Sequence, residues 1–166
     1  MAVRVGINGF GRMGKLGFRA GWGSPEYDIV HVNEIKGDAA CQAHLLEFDS
    51  VHGRWQKDQI GSRPDALLVA GQEVGFSMGA TPAEVDWGAK GIDILVECSG
   101  RFKTPADLQP YFDQGIKKVV VSAPVPEPAL NLVYGVNDHL YDPAVHHLVT
   151  AASCTTNCLA PVVKVM

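Results

Sequence analysis

The sequence predicts a doubly wound α/β domain, a mostly parallel sheet with helices on both faces and a small β-hairpin insertion. Three observations carry that expectation. Short strands and helix-like stretches alternate along the chain. The strands are continuously apolar rather than alternating, as in parallel sheets covered on both faces. The first strand runs directly into a glycine-rich turn and a helix.

Val3–Asn8 (VRVGIN) is an apolar run ending at that turn. Met13–Trp22 follows with helical spacing, placing Leu16, Phe18 and Trp22 near one side. Asp28–Asn33 is a second strand, and Asp38–Glu47, rich in Ala and Leu, is a second helix. Ala66–Val69 and Val74–Ser77 flank Ala70-Gly71-Gln72-Glu73 as a hairpin. Ile92–Glu97 is another strand. Thr104 before Pro105 is a favoured helix opening, because the hydroxyl caps a free N–H and proline lacks one. That helix is expected to reach Gln114 and stop at Gly115. Lys118–Ser122 is a β-branched strand. Pro124, Pro126 and Pro128 impose an extended loop. Leu132–Tyr134 and Leu148–Ala151 are expected as short strands, and Ser153 or Cys154 opens a final helix toward Met166.

Bulk properties bound the rest. The 166 residues suffice for one ordinary domain and not for two. A hydrophobic content of 46% allows a core, and no apolar run approaches the roughly 18 residues of a membrane span. The N-terminus reads as strand and turn rather than as a secretion signal, so a cytoplasmic location is expected. The net charge of −4, with no Lys/Arg cluster, argues against nucleic acid or an anionic membrane as partner. Cys41, Cys98, Cys154 and Cys158 form no disulfide framework. With His146 and His147 as the nearest further ligands, they match no zinc spacing, so no metal site is expected.

Gly9-Phe10-Gly11-Arg12-Met13-Gly14 matches G-x-G-x-x-G between a strand and a helix. Gly9 would make the tight turn, Gly11 would admit a pyrophosphate, and Gly14 would let the helix approach the sheet. The helix N-terminus offers unpaired N–H groups to phosphates. Glu34, 20 residues after Gly14 beside Asn33, is placed to accept from a ribose diol. Its charge would oppose a 2′-phosphate, which favours NAD over NADP. Gly9 to Lys15 also fits the G-x-x-x-x-G-K phosphate loop of triphosphatases. Leu16 stands where that loop needs Ser or Thr for magnesium, so the dinucleotide reading prevails. Cys98-Ser99-Gly100 and Ser122-Ala123-Pro124 follow strand ends, where open α/β sheets bind ligands.

Cys154 stands between a strand and a helix, in Ala151-Ala152-Ser153-Cys154-Thr155-Thr156-Asn157-Cys158. A helix N-terminus favours thiolate, which suits a nucleophile. Ser153 and Thr155 add hydroxyls suited to an anionic substrate. Cys158, Cys41 and Cys98 are expected to be packing residues. No histidine has a spacing that ties it to Cys154.

These segments, with His44-Leu45-Leu46, Asp49–Arg54 (DSVHGR), Gly135-Val136-Asn137 and Ala152–Pro161 (ASCTTNCLAP), together resemble phosphorylating glyceraldehyde-3-phosphate dehydrogenases along essentially the whole chain. The resemblance implies a Rossmann NAD-binding domain over residues 1–152. Residues 153–166 would begin the catalytic-domain helix carrying the nucleophile. It implies attack of Cys154 on a phosphorylated aldehyde, a thioester, and release by inorganic phosphate. Arg12 and Met13 would lie at the pyrophosphate and Glu34 at the adenosine ribose. Asn8, Phe10, Asn33, Ser99, Gly100, Phe102, Ser122 and Ala123 would complete the cofactor site, and Ser153 and Thr155 the phosphate site.

Glu34 replaces the usual Asp. The phrase Ala43–Trp55 (AHLLEFDSVHGRW) is similar to an arsenate-associated subgroup in which arsenate replaces phosphate; the erythrose-4-phosphate dehydrogenase branch shares Asn-Glu. Family members carry about as many residues again. Those hold the catalytic histidine and much of a homotetramer interface, so this chain alone is expected to bind NAD without turnover. Between Pro143 and Met166 only Lys164 is charged, which predicts an apolar patch near the final helix open to self-association.

Overall fold

The computed structural model describes residues 2–166. The strands are β1 (Val3–Asn8), β2 (Tyr27–Asn33), β3 (Phe48–Asp49), β4 (Gly53–Arg54), β5 (Ile60–Arg63), β6 (Ala66–Val69), β7 (Gln72–Ser77), β8 (Ile94–Glu97), β9 (Lys118–Val121), β10 (Leu130–Asn131) and β11 (Leu148–Thr150). The helices are α1 (Arg12–Gly21), α2 (Ala39–Glu47), α3 (Pro105–Asp113) and α4 (Cys154–Val165). Nine strands form one sheet in the order β10-β11-β9-β8-β1-β2-β7-β6-β5, and β3 and β4 pair separately.

The expected doubly wound architecture is present. β1 lies between β2 and β8, parallel to both, with Asn8 opposite Asn33 on one side and Glu97 on the other. The chain winds outward from β1 in one direction through β2, then crosses to β8, β9 and β11. Ligands of such sheets sit at this reversal, beyond the carboxyl ends of the strands. The expected hairpin is also present and is joined to the sheet. β7 runs parallel to β2 through His31–Gly75, Val32–Phe76 and Asn33–Ser77, and β5 adds a third antiparallel strand. Its turn is only Ala70-Gly71, both at positive φ (48° and 80°), the twist that two-residue hairpins require.

Two cores flank the sheet. Alternation along β1 shows the division: Val5 and Ile7 enter a cluster with Phe10, Phe18, Val32 and Leu46. A Cβ on Gly6 would instead stand 3.0 Å from Trp87, in the cluster of Leu95, Leu108, Tyr111 and Val119. Both faces of β1 are therefore covered, as its unbroken apolar run implies.

The helix starts differ in one respect that matters for the site. Asp38 caps α2 through Cys41 N, and Ser153 caps α4 through Thr156 N. Thr104 and Asp107 form a reciprocal capping box on α3, with Pro105 at its first position. α1 begins at Gly11 with no side-chain cap, which leaves its first N–H groups open.

One strand is displaced from its expected place. Leu132–Tyr134 is not a strand; pairing occurs at Leu130–Asn131. Asn131 accounts for the shift, because its side chain binds Val125 and accepts from Thr150 Oγ1 at 2.7 Å, while Asn137 Oδ1 takes Val133 N into a turn.

Candidate functional site

A cleft of about 330 Å³ opens at the reversal point, walled by the ends of β1, β2 and β8. Asn8, Gly9, Gly11, Asn33, Glu34, Cys98, Ser99 and Phe102 of the expected cofactor residues, or their neighbours, line it. Its floor is a set of crossed main-chain bonds: Gly9 N donates to Asn33 O (2.9 Å), Cys98 N to Asn8 O (2.6 Å) and Glu34 N to Ser77 O (3.0 Å).

The three motif glycines have three separate reasons. At Gly9, φ is +85°, and a Cβ would fall 2.2 Å from Ser99 N. At Gly14, a Cβ would fall 2.1 Å from the Gly9 carbonyl oxygen, so the helix could not come down on the turn. At Gly11, a Cβ would meet nothing within 4 Å. That open space beside uncapped N–H groups leaves room for an anionic group such as a pyrophosphate. The residues present therefore fit a dinucleotide.

Several expected site residues turn their side chains away from the cleft. Phe10 is fully buried, edge-on to Phe18 at 5.5 Å between ring centroids, so only its backbone belongs to the turn. Asn8 Nδ2 donates to Glu97 Oε2 and Tyr111 Oη, each at 2.7 Å, and its Oδ1 accepts from Asn33 Nδ2 at 2.8 Å. Asn33 also donates to Gly79 O and accepts from Gly79 N and Ser77 Oγ. Both amides are consumed in holding strand ends together. Glu34 is half-buried at the cleft wall, its carboxylate accepting Lys36 N at 3.1 Å. Arg12 and Met13 are exposed at the start of α1, and Arg12 pairs with Asp49 at 3.1 Å. Asp49 also accepts Val51 and His52 N–H, and these bonds hold its carboxyl below the usual carboxylate range. Gly100 (φ +71°) turns the chain between Ser99 and Arg101. Ser122 and Ala123 stand one strand further along, at the end of β9.

Glu97 and Tyr111 are the site residues that sequence reasoning missed. Glu97 is 1% exposed and accepts Ser99 N (2.7 Å), Asn8 Nδ2 and the Tyr111 hydroxyl (2.5 Å). Burial, then the neighbouring Glu97 charge, pushes the Tyr111 hydroxyl far above its ordinary value, so it stays a donor. A charged residue closing an apolar strand (IDILVE) was the available signal. His31 continues the network, its Nε2 lying 2.8 Å from Ser77 Oγ. Burial holds its pKa down at about 3, so the ring is neutral.

Cys98 faces the cleft, yet burial pushes its thiol up to about 11, against the Ser122 hydrogen bond. It is a packing thiol. Cys154 is exposed at the first position of α4, on the same carboxyl edge of the sheet. The turn before it is strained: Ala152, buried, has φ +53°, and its N–H is held by Thr150 Oγ1 at 3.0 Å. Ser153 Oγ accepts Thr156 N and lies 2.9 Å from Thr155 Oγ1 and 2.7 Å from Thr156 Oγ1, a cluster of three hydroxyls. Asn157 Nδ2 braces the turn through Ala151 O and Ser153 O. Among the described residues no histidine hydrogen-bonds Cys154, and no His/Cys/Asp/Glu cluster could hold a metal. Among the described residues no helix is long and apolar enough to cross a membrane. The apolar surface expected near the last helix is present: Leu159, Val162, Val163 and Val165 are all more than half exposed.

Comparison with known proteins places these features in a family. Residues 3–105 match the family model described as "Glyceraldehyde 3-phosphate dehydrogenase, NAD binding domain". The whole chain is 59% identical to glyceraldehyde-3-phosphate dehydrogenase 3 of Nostoc sp. and 45% identical to glyceraldehyde-3-phosphate dehydrogenase of Geobacillus stearothermophilus. It is also 45% identical to glyceraldehyde-3-phosphate dehydrogenase 1 of Bacillus subtilis. In each case it covers 49% of the relative, so the chain spans about half the length of the curated relatives it matches.

Proposed function

The chain belongs to the glyceraldehyde 3-phosphate dehydrogenase family through its NAD-binding domain, and from that premise we propose that it is the cofactor-binding and nucleophile-bearing part of an NAD-dependent, phosphorylating aldehyde dehydrogenase. The observation that carries the reading is the uncapped, glycine-lined start of α1 facing a cleft whose far wall carries Glu34.

In this reading residues 1–152 bind NAD and 153–166 begin the catalytic helix. The open N–H groups at Gly11, Arg12 and Met13 hold the pyrophosphate. Glu34 accepts from the ribose hydroxyls. Ser99, Gly100, Phe102, Ser122 and Ala123 border the nicotinamide side. NAD, when bound, supplies the hydride acceptor for oxidation of an aldehyde. The Cys154 sulfur adds to the aldehyde carbon of glyceraldehyde 3-phosphate. After oxidation it carries the acyl group as a thioester, which inorganic phosphate cleaves to an acyl phosphate, restoring the thiolate. Ser153 and Thr155 donate to the phosphate beside it. Arsenate, the same shape and charge, competes for that place. Among the described residues no histidine hydrogen-bonds Cys154, and on that ground we propose no turnover by this chain alone; a homotetramer is proposed separately for the whole enzyme.

The test is NAD titration of the chain, with NADH production from glyceraldehyde 3-phosphate and phosphate measured with and without the second half of the Nostoc relative joined to it. Binding without turnover, and turnover once joined, is the expected result. Absence of NAD binding would overturn the reading, and substantial NADH from the chain alone would overturn the need for an outside base. Erythrose 4-phosphate and arsenate, assayed in parallel on the joined enzyme, decide the subgroup.

A further inference from the structure

Lys15 completes the G-x-x-x-x-G-K pattern, yet it does not reach for a phosphate. It is buried, 7% exposed, with its ammonium over the Phe10 ring at 4.8 Å from the centroid. Nζ donates to the Phe10 carbonyl inside the glycine turn and to Gln42 Oε1 on α2. Gln42 is 2% exposed, and its Nε2 donates onward to the Lys36 carbonyl. The Lys36 N–H in turn holds the Glu34 carboxylate. A continuous hydrogen-bonded path thus links the peptide before Gly11 to the residue expected at the ribose.

Burying an ammonium is costly, and burial lowers the Lys15 pKa to about 8 against the raising effect of Glu34 and Cys41. A methionine-like side chain would fill the same space without that cost. What the amine adds is direction. With the Phe10 carbonyl drawn inward, the Phe10–Gly11 peptide is fixed, and with it the N–H groups that follow. With the Lys36 carbonyl tied down, the loop after β2 is fixed as well.

We propose that Lys15 and Gln42 form a positioning bracket that sets the distance between the phosphate-binding turn and the ribose-binding loop. The inference rests on the NAD-binding reading above and deepens it. Its consequence is specific to ligands that span both ends. ADP-ribose touches turn and loop together, whereas adenosine touches only the loop.

The experiment measures affinities of the chain and its variants for ADP-ribose and adenosine by calorimetry and NMR titration, with thermal unfolding of the free proteins alongside. Lys15→Met is expected to weaken ADP-ribose about ten-fold and adenosine less than about three-fold, since one hydrogen-bonded charge is lost from a preorganised site. Lys15→Arg restores most of the loss. Gln42→Met removes both the acceptor for Lys15 and the donor to Lys36 without adding a charge, so it decides the matter if Lys15→Met does not fold. It too is expected to affect ADP-ribose more than adenosine. Lys15→Met combined with Gln42→Met is expected to be no weaker than the worse single variant, because both break one path. Equal losses for the two ligands, or multiplied losses in the double variant, would overturn the bracket. Failure of the unmodified chain to bind either ligand would overturn the NAD reading and the bracket with it.

Discussion

Gly9 and Ser99, 90 positions apart in sequence, meet so closely that a methyl group on Gly9 would stand 2.2 Å from the Ser99 nitrogen. This contact joins the ends of β1 and β8 and makes the floor of the cleft. Ser99 N cannot retreat, because it is bonded to the buried Glu97 carboxylate at 2.7 Å.

Gly9→Ala should therefore cost about 2–4 kcal/mol of stability, the combined effect of overpacking and a positive φ, and abolish NAD binding even where the chain still folds. Gly11→Ala, whose Cβ enters open space, should leave stability within about 1 kcal/mol while weakening NAD strongly. Chemical denaturation paired with NAD titration checks both.

Glu34 should discriminate between dinucleotides. A carboxylate beside a 2′-phosphate repels it, so NAD is expected to bind on the order of ten-fold or more tighter than NADP. Glu34→Ser should weaken NAD and narrow the ratio. An unchanged ratio would remove Glu34 from the ribose site.

His31 gives the fold a defined acid sensitivity. Its pKa is about 3 in the folded chain against an ordinary 6.5, chiefly from burial and then from Lys90. The unfolded chain therefore binds an additional proton between those values. Stability attributable to a neutral His31 is present above pH 6.5 and is lost as pH falls toward 3, at no more than about 1.4 kcal/mol per pH unit. His31→Gln, which retains a partner for Ser77, should flatten the slope over that window. An identical slope in variant and parent would show that other groups set it.

Cys154 and Cys158 are both exposed on one helix, Cys154 at its first position and Cys158 a turn further in. Charge developing on the Cys154 sulfur meets the open N–H groups of the first turn, whereas Cys158 lies a turn inside. At neutral pH iodoacetamide should modify Cys154 faster, as followed by peptide mass mapping. Ser153→Ala removes the cap and should cost about 1 kcal/mol at that helix end, as chemical denaturation would show.

Residue type and short-range spacing were enough for the alternation of strands and helices, the glycine turn, the cap at Thr104, and the placing of Cys154 near a helix start, with Ser153 and Cys154 both open as the residue that begins it. These are local properties, carried by residue type and short-range spacing, and α1, α2, β6, β9 and α4 lie within one or two residues of where spacing puts them. Tertiary structure decided which side chains the cleft receives. Asn8, Phe10 and Asn33 point inward, Lys15 turns in onto the Phe10 carbonyl, and Glu97 with Tyr111 supports the floor from beneath. Each depends on partners far along the chain: 25 positions for Asn8 with Asn33, 103 for Asn8 with Tyr111. A polar side chain follows whichever hydrogen-bond partner burial leaves it, and packing brings that partner near only after the strands have assembled.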